Sequence, residues 1–132
     1  MPTSLEFEAP FASQRILIVD DDKDVAPLFR SILENAGYSV SNTLSGKEGL
    51  RAIREEAFAL VILDLAIPDV DGFEILRAIR NHVPKPKIIA VSGVIPSMLE
   101  AAKICGADLV LDKLIATDVL VMSVRKLIKP AS

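Results

Sequence analysis

Apolar residues along this chain fall into two alternating kinds of segment. Four are short aliphatic runs of strand length: 15–20 (RILIVD), 58–65 (FALVILDL), 87–93 (KIIAVSG) and 107–113 (ADLVLDK). Uninterrupted runs of this kind belong to parallel strands covered on both faces. A fifth run, 38–43 (YSVSNT), is shorter and more polar, as suits an edge strand.

Helical patterns lie between the runs. Val25, Leu28, Phe29, Ile32, Leu33 and Ala36 follow the i, i+3, i+4, i+7 spacing of one apolar helix face, with Gly37 as the stop. Pro27 comes early enough to be tolerated near the first turn. Ser45 and Glu48 stand in capping-box positions for a helix running to about Ala57. Asp71 and Glu74 repeat that arrangement ahead of 72–81 (GFEILRAIRN). A proline-punctuated loop, 81–87, separates it from the next strand. Helices over 96–105, with Pro96 at its start and Gly106 past its end, and over 116–129 complete the series. Five β/α units predict one doubly wound, three-layer α/β sandwich with right-handed crossovers. It spans 15–129, with tails at 1–14 and 130–132 and no repeat, low-complexity stretch or linker to a second domain.

Composition narrows the function classes. The 132 residues suit one domain with a real core, and 51% are hydrophobic against 5% aromatic, so aliphatic side chains must fill it. A net charge of -3 argues against nucleic acid as a direct partner. No apolar stretch approaches the ~18 residues of a membrane span, so no membrane insertion is expected. The first fifteen residues lack the basic start and apolar core of a signal peptide. The single cysteine, Cys105, excludes an intrachain disulfide and a Cys-rich metal site and reads as a small buried residue. A cytoplasmic protein is the expectation.

In open α/β sheets chemistry collects beyond the carboxyl ends of the strands. Asp20 and Asp21 follow the first run, Asp64 the third, Ser92 and Gly93 the fourth, and Lys113 the fifth. Three carboxylates can hold a hard divalent cation, while a hydroxyl and an ammonium can hold an anion. Asp22 and Asp24 read instead as the acidic start of the first helix. Pro68 and Gly72 shape the loop after Asp64, where Asp69 is a turn residue and Asp71 a cap. His82, in its polar loop, reads as an exposed bystander.

These elements, in this order, resemble a response-regulator receiver domain over about residues 15–129, with 63–72 (LDLAIPDVDG) reproducing the D-x-x-x-P-x-x-D-G run. The resemblance implies a flavodoxin-like five-stranded parallel sheet in the order 2-1-3-4-5 with five helices, a strand order for which a member of this family is a standard example. It implies Asp64 as phosphoacceptor, taking a phosphoryl group from a sensor histidine kinase or a histidine phosphotransfer protein. It further implies Mg²⁺ held by Asp21, Asp64 and the Ala66 carbonyl, with Asp20 on a metal-bound water. Ser92 and the Leu65 and Gly93 amides would contact the phosphoryl group, and Lys113 would pair with a phosphoryl oxygen or with Asp64. The protein would then be a switch with slow self-dephosphorylation rather than a metabolic enzyme.

Three positions depart from the family pattern. Leu114 stands where proline usually follows the lysine, so a trans bond is expected, because a cis bond there costs ~2.5–4 kcal/mol. Val110 replaces an aromatic, which leaves switching to loop or helix shifts. Asp112 is acidic where the family is usually apolar. In the last helix Leu120, Val124, Leu127 and Ile128 form a core face. Val119, Val121 and Met122 widen it, and with Val94, Ile95, Met98, Val110 and Ile115 they predict a surface for a downstream partner or a homodimer across helix four, strand five and helix five.

Three other classes compete. A receiver-like interaction module that ignores phosphate is favoured by the altered lysine segment. A flavodoxin-like cofactor carrier would want hydroxyls and amides after the first strand, where four acids would repel its phosphate. An aspartate-nucleophile phosphohydrolase using Asp20 and Asp22 would want a longer chain with a cap domain, and Asp24 departs from its motif.

Overall fold

The computed structural model describes residues 15–93 and 96–130, except the side chains of 96, 97, 99 and 115. The aliphatic runs form the parallel strands β1 (Arg15–Val19), β3 (Leu60–Asp64), β4 (Lys87–Ser92) and β5 (Leu109–Asp112), and the polar run forms β2 (Ser39–Thr43). They pair in the order β2-β1-β3-β4-β5. The intervening helices are α1 (Val25–Asn35), α2 (Gly46–Glu55), α3 (Gly72–Arg80), α4 (Pro96–Ile104) and α5 (Lys113–Leu127). The fold is thus the doubly wound sandwich with a β2 edge that the pattern predicts.

Strand alternation divides the core in two, although neither face is polar. Leu17, Val19, Val61, Leu63, Ile88 and Ala90 point to one side, against Leu50 and Ile53 of α2, Ile75, Leu76 and Ile79 of α3 and Ala102 of α4. Ile16, Ile18, Leu60, Ile62, Ile89 and Val91 point to the other, against Ala26, Phe29 and Leu33 of α1 and Ala116, Leu120 and Val124 of α5. Fully burying one such side chain contributes about 1.5–3 kcal/mol, so these two layers supply the main stabilisation.

Helix ends follow their sequence signals. Ser45 Oγ accepts from Glu48 N–H and contacts the Glu48 carboxylate, and Asp71 accepts from Phe73 N–H. Gly37 and Gly106, with φ of 99° and 116°, close α1 and α4 in the left-handed region. Their following amides, Tyr38 and Ala107, bond back to Leu33 and Ala102.

Four expectations need correction. Leu28 is 47% exposed, because α1 turns Ala26, Phe29 and Leu33 onto the sheet and Leu28 lies about a quarter-turn from Phe29. α2 ends at Glu55 rather than near Ala57, since Glu56 is already extended. α5 starts at Lys113 rather than Ala116, because Asp112 accepts the Leu114 N–H at 2.9 Å and nucleates the helix directly after β5. His82 is half-buried rather than exposed.

Among the described residues, the expected partner surface is narrower than its sequence suggests. Met98 and Val110 pack against the core, as does half-buried Cys105. Leu127 and Ile128 border the core beside the buried Ala116, Leu120 and Val124, and Val119 and Val121 are half-buried. Met122 is 66% exposed and Leu114 86% exposed. Val94, Ile95 and the side chain of Ile115 lie outside the described residues. No helix among the described residues is long and apolar enough to cross a membrane.

Candidate metal and phosphoryl site

Parallel register aligns the strand ends. Asp64 pairs with Val91, Val91 with Leu111 and Ser92 with Asp112. Asp64 and Ser92 therefore end neighbouring strands, and Lys113, first in α5, stands one residue past the Asp112 level. On the other side of β3, Asp20 follows β1 with its N–H donating to Thr43 carbonyl. Asp20, Asp64 and Ser92 are buried to within 4% exposure, whereas Asp21 is exposed.

One cation bridges the two buried acids. Lys113 Nζ lies 2.9 Å from Asp64 Oδ2 and 3.2 Å from Asp20 Oδ2. The other Asp64 oxygen, Oδ1, accepts the Ala66 N–H at 2.9 Å, and Asp20 Oδ1 accepts the Asp22 N–H at 2.9 Å. Gly93 permits the lysine's path: a Cβ there would sit 3.2 Å from Lys113 Cβ. Asp21, Asp22, Asp64, Ala66, Gly93 and Lys113 line a cavity of about 380 Å³.

The electrostatics follow from burial. Desolvation is the main cause that pushes the Asp20 carboxyl up to about 6; the Asp64 charge adds to it, while the Asp22 N–H and Lys113 oppose it. Burial also works against the Lys113 charge, but the bond to Asp64 and the charges of Asp64 and Asp20 outweigh it, holding the ammonium above its ordinary value. Two buried carboxylates thus share one ammonium, a centre with spare negative charge.

The residues present fit a hard cation. Asp20, Asp21 and Asp64 bring carboxylate oxygens within 4.8 Å of one another, and Ala66 lines the same cavity. All are oxygen donors, few in number and partly open to solvent, the set that suits Mg²⁺ with its retained waters. Of the residues read from sequence, Asp20, Asp21, Asp64, Ala66, Gly93 and Lys113 converge here, with Ser92 on the adjoining strand end. Lys113 reaches both acids despite Leu114, and the Lys113–Leu114 bond is trans, the Val83–Pro84 bond being the cis bond among the described residues.

Leu65 is a correction. Its N–H donates to Val91 carbonyl at 3.0 Å, extending the β3–β4 ladder one step, so in this geometry it is committed to the sheet rather than turned to a phosphoryl oxygen. Asp22 has two roles: Oδ1 accepts from Asp24 and Val25 N–H at the start of α1, and the residue also lines the cavity. Those two amides depress its carboxyl pKa. Asp24, expected to share the capping, makes no side-chain cap bond. Asp69 is more than a turn residue: it accepts from the first two amides of α2, a contact across 23 residues that no local motif announces.

Known proteins are similar to this chain in sequence and in fold. Residues 16–125 match the family model of the response regulator receiver domain. The transcriptional regulatory protein GltR of Pseudomonas aeruginosa is 35% identical over 94 residues, covering 71% of this chain and 38% of GltR. This chain spans well under half the length of such curated regulators. A CheY-like receiver domain protein from Methanospirillum hungatei superposes with a TM-score of 0.78 at 33% identity, covering 86% of this chain and 91% of that one. The response regulator TrrA of Thermotoga maritima, solved in complex with Mg²⁺–BeF, gives 0.78 at 30% identity, covering 87% and 99%. With the strand order, the converging acids and the lysine in place, the chain belongs to the response-regulator receiver family of two-component signalling.

Proposed function

We propose that this domain is a phosphorylation-controlled switch whose acceptor is Asp64. The observation that carries the reading is the buried Asp64 carboxylate held 2.9 Å from Lys113 beside Asp20 and Asp21. An Asp64 oxygen attacks the phosphorus of a phosphohistidine on a sensor kinase or phosphotransfer protein. The O–P bond forms and the P–N bond breaks. Its electron pair returns to the imidazole nitrogen, which takes a proton, and Asp64 becomes an acyl phosphate. Asp21, Asp64 and the Ala66 carbonyl would hold Mg²⁺, with Asp20 behind a coordinated water. Bound there, the ion neutralises charge on the carboxylates and the phosphoryl oxygens. Ser92 Oγ, the Gly93 amide and Lys113 Nζ would contact the phosphoryl oxygens. The domain catalyses only its own phosphorylation and slow hydrolysis, and works in the cytoplasm.

Once Asp64 is phosphorylated, Lys113 is drawn to the new anion. Because Lys113 is the first residue of α5, its movement bears directly on the α4–β5–α5 face, where Leu114 and Met122 are exposed for a protein partner or a second copy.

A receiver-like module that ignores phosphate is the second reading. It is favoured by the missing loop between β5 and α5 and by Val110 packed against the core. Phosphoramidate, a small P–N donor, separates the two. Under the first reading, incubation yields a phosphorylated chain with Mg²⁺ and none with EDTA; no adduct in either condition leaves the interaction module.

A further inference from the structure

The segment between β3 and α3, residues 65–71, includes Ala66, which lines the cavity. Its ends are fixed by the Leu65–Val91 bond and by Asp71 capping α3. Its middle is fixed by Asp69, which reaches across to α2: Oδ1 accepts Gly46 N–H at 2.8 Å and Oδ2 accepts Lys47 N–H at 3.1 Å. The approach is close, since a Cβ on Gly46 would sit 2.7 Å from Val70 Cβ and 3.1 Å from Asp69 Oδ1. α2 has its own cap as well, because Ser45 Oγ takes the Glu48 N–H. Asp69 therefore does more than begin a helix that already has an N-cap.

We propose that Asp69 is a positioning residue for the metal and phosphoryl site, its two-pronged bond to the start of α2 holding the segment that presents the Ala66 carbonyl. The Gly46 and Lys47 amides also hold the Asp69 carboxyl below the usual aspartate range, so both prongs accept at neutral pH. The proposal rests on the reading that Asp21, Asp64 and Ala66 hold Mg²⁺.

The test is calorimetric titration of the metal-free protein with Mg²⁺, alongside urea unfolding in EDTA, for wild type, Asp69→Ala, Asp69→Asn and Ser45→Ala. Ser45→Ala weakens the start of α2 without touching the segment, and so reports a purely structural effect. The expected result is a Mg²⁺ Kd raised about tenfold in Asp69→Ala, the scale seen when a group supporting a ligand is removed. Asp69→Asn keeps one accepting oxygen and falls between, and it serves as the folded variant if Asp69→Ala does not fold. Ser45→Ala stays within about twofold of wild type at a comparable loss of stability. An unchanged Kd in the Asp69 variants, or an equal rise in Ser45→Ala, overturns the proposal. Wild type that binds no Mg²⁺ removes the metal reading itself, and the proposal with it.

Discussion

Asp112 accepts the Leu114 N–H at 2.9 Å, which places Lys113 in the first turn of α5, directly after β5. The acid that departs from the family pattern and the non-proline residue after the lysine thus belong together as a capped helix start. Asp112→Ala is expected to lower stability by about 1 kcal/mol, the usual loss for an N-cap, and Asp112→Asn by much less. Urea unfolding measures both. Equal stability of Asp112→Ala and wild type would show that the cap does not set the start of α5.

Lys113 is the cation between Asp20 and Asp64, so its removal leaves two buried carboxylates facing each other. Lys113→Met is expected to destabilise the metal-free protein by about 1–3 kcal/mol, the range for a buried group stripped of its partner. Added Mg²⁺ should restore much of that loss. Unfolding curves in EDTA and in Mg²⁺ measure this, and a variant as stable as wild type in EDTA would contradict the pairing.

Asp20 carries the pH signature. Burial raises its carboxyl from an ordinary value of 3.8 to about 6, so between those values the folded chain binds more protons at this site than the unfolded chain. Its contribution to stability is fully present below 3.8 and is lost as pH rises through about 6. Carbon NMR of the metal-free protein should show the Asp20 carboxyl titrating near 6. A midpoint below 4 would remove the desolvation argument.

The fold was legible where burial left only one pattern available. The strands read clearly because both faces of β1, β3 and β4 are covered, leaving no polar alternation to confuse them. Asp20, Asp64 and Ser92 read clearly because each ends or follows such a strand, and Lys113 because it follows the aliphatic run of β5. Features set by contacts distant in sequence did not. The Asp69 bonds join residues 23 and 22 positions apart, and the Leu65 amide is claimed by a strand far along the chain. Leu28 fits the helical period, yet its phase is decided by which residues meet the sheet. The start of α5 was within reach, since an aspartate before a helical run is a capping signal. The apolar run through Leu111 masked it.

The central claim is that Asp64 accepts the phosphoryl group. Intact-mass measurement after incubation with Mg²⁺ and acetyl phosphate tests it most directly, for wild type and Asp64→Asn. The account predicts a single phosphoryl adduct on wild type and none on Asp64→Asn. An adduct on both, or on neither, would contradict it.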